Sequence, residues 1–264
     1  MGSKRDPWTE VADRFVDEHY ASVRGRVRTY VIDQHLGAHL PSPPASIIDV
    51  GGGAGTQSLP LARRGYDIKI VDSSPSMLER ATDALSREPD EVASRVRLVE
   101  APGEKAFDSV GKERFEGVLC HGVLPYVDDP SPLIDSLCAL CAPGGIVSIV
   151  AKNMRTLAVF PALEGRWAEA LAAFDASRQI NSLGFDTRAD AVEDLVHLLD
   201  QHGVRAVAWF GVRLFTDRWT DPEPADLEDL MAVELEASKR DPYRQLSRLF
   251  HLIGRKAVQR SDTN

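Results

Sequence analysis

Ile47-Ile-Asp-Val-Gly-Gly-Gly-Ala-Gly55 is the stretch of this 264-residue chain from which its fold can be read. A short apolar run leads through Asp49 into four glycines at positions 51, 52, 53 and 55, and a helical pattern opens after Thr56. Glycine lets the backbone turn sharply and come close to a ligand, while the first turn of the following helix offers unpaired N–H groups. An ordinary strand-to-helix turn needs one glycine, so a run of four points to a ligand cradle. The cradle lacks the Gly-Lys-Ser/Thr of a phosphate-binding P-loop, since Gly55-Thr-Gln57 supplies no lysine. Its glycines at 51, 53 and 55 are evenly spaced, unlike a dinucleotide loop, and Asp49 would repel a pyrophosphate at that place. Asp49 is suited instead to accept hydrogen bonds from an ammonium or to fix the loop.

On either side of the cradle, short apolar runs alternate with helical periods. Strands are expected at Ser46–Val50, Ile68–Val71, Val96–Val99, Gly117–Cys120 and Ile146–Ala151, with helices at Gln57–Arg64, Met77–Leu85 and Pro132–Cys141. That alternation means a doubly wound α/β fold, a mostly parallel sheet covered on both faces. Asp72 closes the second strand, placed for a bidentate bond to ribose hydroxyls, and Ser73 follows it. Residues 8–40 read as two helices ahead of the Pro41-Ser-Pro-Pro44 break. Residues 153–182 look helical throughout and carry no strand pattern. Further on, a helix over Ala189–His202, a strand over Val204–Val212, a helix over Leu227–Ser238 and a strand over His251–Ala257 are expected. The chain reads as one domain: N-terminal helices (8–40), a core (46–151), a helical cap (153–185) and the remainder of the sheet (189–257).

Lys and Arg total 31 against 40 Asp and Glu, a formal net charge of −9. This balance argues against broad, sequence-independent phosphate binding. Hydrophobic residues make up 43%, enough for a substantial core, and no apolar run approaches the ~20 residues of a membrane span. A cytoplasmic protein without a membrane partner is expected. Cys138-x-x-Cys141 has no second ligand pair at a zinc spacing and lies on an apolar helix, so it and Cys120 read as buried core thiols, and no metal is expected.

Asp49-Val-Gly-Gly-Gly-Ala-Gly55, Asp72 and Ala142-Pro-Gly-Gly145 together resemble the class I S-adenosylmethionine-dependent methyltransferases. The resemblance implies a seven-stranded sheet with a final antiparallel pair. It implies S-adenosyl-L-methionine as cofactor, released as S-adenosyl-L-homocysteine. The methionine part would lie on Gly51, Gly52, Gly53, Gly55 and Thr56, the ribose on Asp72, the adenine against Met77 and along Pro102-Gly103-Glu104. His121, ending the fourth strand, would line the cofactor, and Arg28 would take its carboxylate.

Arg24-Gly-Arg-Val-Arg28, His121-Gly-Val-Leu-Pro-Tyr-Val-Asp-Asp-Pro130, Gly211-Val-Arg-Leu-Phe-Thr-Asp217 and Asp241-Pro-Tyr-Arg-Gln-Leu-Ser-Arg-Leu-Phe-His251 are similar to blocks of the bacterial tRNA 5-carboxymethoxyuridine methyltransferase family. That similarity implies methylation of a carboxylate oxygen on a modified wobble uridine, with tRNA as partner. It nominates Arg213, Arg248 and Asn153 to hold the acceptor, His121, Arg213 and Asn153 as the catalytic residues, and Tyr20, Tyr126 and Tyr243 to shape the acceptor pocket. An arginine at a strand end is otherwise a solvated or surface-paired group, and a tyrosine at such places a packing residue. A small-molecule O- or N-methyltransferase on the same scaffold stays open, as does a cofactor-binding protein without catalysis. The acidic cluster Asp221, Glu223, Asp226, Glu228 and Asp229 reads as a solvated helix start.

Overall fold

The computed structural model describes residues 21–181, 184–219 and 223–258. Its strands are β1 (Ser46–Val50), β2 (Asp67–Asp72), β3 (Val96–Glu100), β4 (Phe115–His121), β5 (Cys141–Lys152), β6 (Arg178–Ile180), β7 (Asp186–Arg188), β8 (Val204–Val212) and β9 (Leu249–Lys256). The helices are α1 (Val23–Gly37), α2 (Ser58–Arg63), α3 (Pro75–Leu85), α4 (Asp90–Ala93), α5 (Ala106–Ser109), α6 (Ser131–Leu140), α7 (Val159–Leu163), α8 (Trp167–Ala173), α9 (Val192–Asp200), α10 (Leu227–Ala237) and α11 (Tyr243–Leu246). Seven strands form one sheet in the order β3-β2-β1-β4-β5-β9-β8. β1 to β5 run parallel, and β9 lies antiparallel between β5 and β8. The order reverses between β1 and β4, which opens a crevice at their carboxyl ends.

Strands buried on both faces read as continuous apolar runs rather than as an alternation. β1 and β4 follow this rule: Ile47, Ile48, Val118 and Leu119 are fully buried. One apolar layer packs β4, β5 and β9 against α6 and α9 through Leu133, Ile134, Leu137, Leu195 and Phe250. The other packs β1 and β2 against α1 through Val27, Val31, Ile32 and Leu36. Burying each such side chain contributes about 1.5–3 kcal/mol. α1 starts where the Ser22 hydroxyl accepts the Gly25 N–H at 3.2 Å. The helix expected ahead of it lies outside the described residues. Cys120, Cys138 and Cys141 are buried and free, and burial pushes the Cys138 and Cys141 thiols up to about 12 and 11.

The cap departs from its expected all-helical form. α7 and α8 are short, and β6 and β7 pair antiparallel as a separate hairpin. Three-residue strands give no periodicity to read, and this hairpin is held by charge. Arg178 reaches Asp186 and Asp128, and Arg188 donates to the Asp128 carbonyl at 3.1 Å. Those bonds clamp the hairpin over the loop that follows β4. Among the described residues, no helix is long and apolar enough to cross a membrane.

Candidate active site

A cleft of about 990 Å³ opens at the carboxyl edge of β1, β2, β4 and β5 and runs under the cap. One end is bare backbone. Gly51, Gly53 and Gly55 have φ of 72°, 53° and 78°, a region that side-chain-bearing residues rarely adopt. A Cβ on Gly53 would lie 2.6 Å from Met77 Cε. The loop is tied down by Asp72, whose carboxylate accepts the Gly53 N–H and the Ser74 N–H, each at 2.9 Å. Beneath the loop, Asp49 is buried and accepts the Ser58 hydroxyl at 2.7 Å. Burial pushes its carboxyl up to about 6.

This end gathers Arg28, Gly51, Gly52, Gly53, Thr56, Asp72, Ser73, Met77, Pro102, Gly103, Glu104 and His121 in one wall. Asp49 and Gly55 sit behind that wall, supporting the loop. Arg28 is buried and donates to the His121 carbonyl at 3.3 Å. An elongated ligand with a cationic centre, a carboxylate and vicinal hydroxyls fits this donor set. Bare backbone admits its chain, Asp72 offers acceptors, and Arg28 offers a buried cation.

The other end of the cleft is cationic. Arg24, Lys152, Arg213, Arg218 and Arg248 converge there, facing Asp217. Arg213 Nε donates to Asp217 Oδ1 at 3.0 Å, and Arg248 Nε lies 3.9 Å from Asp217 Oδ2. Arg248 also donates to Gln179 Oε1 at 2.9 Å and stacks on Phe160. Its Nη1 and the Nε of Arg24 are buried without a hydrogen-bond partner. Burial, followed by the charge of Arg248, lowers the Lys152 ammonium to about 8. Two buried guanidinium nitrogens without a partner are costly, so this end keeps donors for an anion.

Arg213 is held in the left-handed region, φ 62°, which for an arginine is strained. Glu234 on α10 supplies the restraint. Its buried carboxylate accepts the N–H groups of Leu214, Phe215 and Thr216 at 2.8–3.0 Å and the Thr216 hydroxyl at 2.6 Å. A single glutamate therefore fixes the turn that aims Arg213.

The remaining nominated residues divide. Tyr126 lines the cleft between the two ends, receives the Asn181 amide at 3.4 Å and meets Phe185 edge-on. Asn153 does not line the cleft: its amide donates to the Gln245 and Ser247 carbonyls, each at 3.0 Å, and its oxygen caps Arg155 N. Tyr243 is half-exposed against Phe215 and outside the cleft. Tyr20 lies outside the described residues. Sequence reasoning misses Lys152, Phe160 and Gln179. Lys152 was within reach, because side chains alternate along β5 and only one of Lys152 and Asn153 points to the crevice. Among the described residues, no group of His, Cys, Asp and Glu is placed to hold a metal.

Residues 48–149 match the family model described as a methyltransferase domain. The tRNA 5-carboxymethoxyuridine methyltransferase of Escherichia coli (strain K12) is 25% identical over 253 residues, covering 94% of this chain and 95% of that protein. A ubiquinone biosynthesis O-methyltransferase of Psychrobacter cryohalolentis is 30% identical over 132 residues, 49% of this chain and 50% of that one. Among solved structures, the glycopeptide N-methyltransferase MtfA complexed with S-adenosylmethionine superposes with a TM-score of 0.56 at 12% identity, covering 87% of this chain and 94% of that one. The chain therefore carries a methyltransferase domain over residues 48–149 on a sheet with the class I methyltransferase order, and it acts as an S-adenosylmethionine-dependent methyltransferase.

Proposed function

We propose that this enzyme methylates a carboxylate oxygen, and that the acceptor is the carboxymethoxy group of a modified wobble uridine in tRNA. The observation that carries the reading is the cationic end of the cleft, where Arg24 and Arg248 hold buried, partnerless nitrogens beside Lys152 and Arg213. The relative that matches along nearly the whole chain, cap included, acts by its name on such a nucleoside in tRNA.

When bound, S-adenosylmethionine supplies a methyl group on a sulfonium centre, open to in-line displacement. Arg28 takes its carboxylate, Asp72 its ribose, and Met77 with Pro102, Gly103 and Glu104 its adenine. The chain must then align the acceptor oxygen, an effect that can be worth about 7–11 kcal/mol. A carboxylate is already ionised at pH 7, so no general base is needed. His121 fits that requirement: burial lowers its imidazole to about 3, which leaves it neutral and a weak base. An amine or phenol acceptor would need more help than His121 gives. Arg213 and Arg248 orient the carboxylate, and Tyr126 borders it.

Two substitutions separate the ends of the cleft. Gly53→Val places a side chain against Met77 Cε on a backbone with φ 53°, and an affinity loss above about 100-fold for S-adenosylhomocysteine is expected by calorimetry. Arg248→Ala removes charge-assisted bonds worth about 1.5–3 kcal/mol. It is expected to raise the acceptor KM by about 10- to 100-fold and leave cofactor affinity near wild type. A KM that stays put would make Arg248 a packing residue only.

The direct test is methyl transfer from labelled S-adenosylmethionine to bulk tRNA from cells lacking the gene, set against a small-metabolite extract. Label in tRNA that mild alkali releases supports an ester on RNA. Label only in small molecules overturns the tRNA reading in favour of a small-molecule O- or N-methyltransferase. The net charge of −9 is what favours that second reading.

A further inference from the structure

A chain of buried hydrogen bonds crosses the sheet from the cleft to α10. His121 Nε2 lies 2.8 Å from Ser148 Oγ, and Ser148 Oγ lies 2.7 Å from His251 Nε2. His251 Nδ1 then lies 3.1 Å from His35 Nδ1, and His35 Nε2 lies 2.9 Å from Ser238 Oγ. At the far end Ser238 Oγ donates to the Leu235 carbonyl at 2.6 Å. The chain draws on β4, β5, β9, α1 and the end of α10. Phe210 of β8 stacks on His35 at 3.9 Å, fixing that ring.

The direction of every bond follows from that last carbonyl. A carbonyl only accepts, so the Ser238 hydroxyl proton is committed to Leu235. His35 Nε2 must then carry a proton, which leaves His35 Nδ1 a lone pair when the ring is neutral. His251 Nδ1 must donate to it, so His251 Nε2 accepts from Ser148. Ser148 Oγ in turn accepts from His121 Nε2–H. The remaining nitrogen, His121 Nδ1, is left with a lone pair, buried and without a hydrogen-bond partner, in a residue that lines the cleft.

We infer that His121 Nδ1 is an acceptor built into the cleft wall for the ammonium group of the bound cofactor, and that Ser148, His251 and His35 are positioning residues that hold His121 in the Nε2–H form. The inference rests on the cofactor placement proposed above. Arg28 abuts His121 and carries only donors, so it suits the carboxylate of an amino-acid group. The ammonium on the same carbon needs an acceptor beside it, and the opposite tautomer of His121 would face it with another donor. The chain thereby reads the polarity of the amino-acid end: carboxylate to Arg28, ammonium to His121.

Nitrogen NMR of the full chain with labelled histidine reads the tautomers directly. At pH 7 His35 and His121 are expected protonated on Nε2 and His251 on Nδ1. Ser148→Ala is expected to mix the His121 signals without unfolding the protein. Calorimetry supplies the second readout, comparing S-adenosylhomocysteine with its analogue lacking the amino group. Wild-type protein is expected to favour the amine-bearing ligand by about tenfold. His121→Phe is expected to erase that preference, and His121→Asn, which keeps an acceptor near the Nδ1 position, to restore part of it. A proton on His121 Nδ1, or equal weakening of both ligands by His121→Phe, overturns the inference. If His121→Phe does not fold, His121→Asn and the tautomer measurement decide. Binding lost in Gly53→Val but with no amine preference in wild type overturns this inference alone. No binding to wild type overturns the cofactor placement with it.

Discussion

Asp72→Ala is expected to weaken S-adenosylhomocysteine binding by at least about 100-fold and to lower the thermal midpoint. The carboxylate at the end of β2 accepts two backbone N–H groups, one from the glycine loop and one from the start of α3. A carboxylate has about four acceptor positions, so one group can hold the loop and a ligand diol together. Each charge-assisted bond is worth about 1.5–3 kcal/mol, and two of them exceed the ~2.7 kcal/mol that a 100-fold change represents. Stability suffers as well, because Gly53 and Ser74 are buried and their N–H groups lose an acceptor, at about 1–3 kcal/mol each. Affinity within threefold of wild type, measured by calorimetry, would remove Asp72 from the site.

Lowering the pH from 7 to 4.5 is expected to destabilise the enzyme steeply, and the cause is the set of buried imidazoles. Burial is the first cause for all three: it lowers His35 and His121 to about 3 and His251 well below its usual 6.5. Lys239 and His39 press on His35 in the same direction, Arg28 presses on His121, and the other imidazoles press on His251. An unfolded chain binds protons on these rings near pH 6.5, and the folded chain does not. Their contribution is therefore complete above pH 6.5 and lost as pH falls toward 3. Three protons correspond to about 4 kcal/mol per pH unit at the steepest. Asp49 acts in the opposite sense. Its folded-state pKa is raised to about 6, so its ionised form costs stability above that pH and the cost disappears as pH falls. One proton offset against three leaves about 3 kcal/mol per pH unit between roughly pH 6 and 4. Denaturant titrations at several pH values measure this slope, and His35→Leu is expected to reduce it by one proton. A stability that is flat from pH 7 to 5 would contradict the buried, neutral imidazoles.

The cofactor end of the site was legible because one short stretch carries it. Four glycines, the Asp49 before them and the Asp72 one strand later are local signals, and all of them meet at one turn. The acceptor end was legible only in outline. Arg213 and Arg248 lie 35 positions apart, yet Arg248 N–H donates to the Arg213 carbonyl at 3.2 Å, a neighbourhood created by β8 and β9 pairing. Asn153 was nominated just past the fifth strand and Lys152 was not considered, yet Lys152 is the one that lines the cleft. The β6–β7 hairpin has no apolar periodicity because hydrogen bonds and ion pairs, rather than a buried face, hold it to the loop after β4. The imidazole chain was invisible: its members lie on five elements, and His35 and His251 are 216 positions apart.

The segment between Arg213 and Arg248 leaves the sheet and returns to the same spot, clasped at its base by their backbone bond and braced by Glu234. Such a closed excursion behaves like an interchangeable bit in a fixed chuck. Lengthening a loop whose ends already meet costs little, about 0.6 kcal/mol per doubling. Residues 223–226, just ahead of α10, can therefore be exchanged or extended while both arginines keep their aim. Libraries confined to that stretch would change which acceptors enter without retuning the methyl donor's seat, giving this scaffold a natural point at which to engineer selectivity.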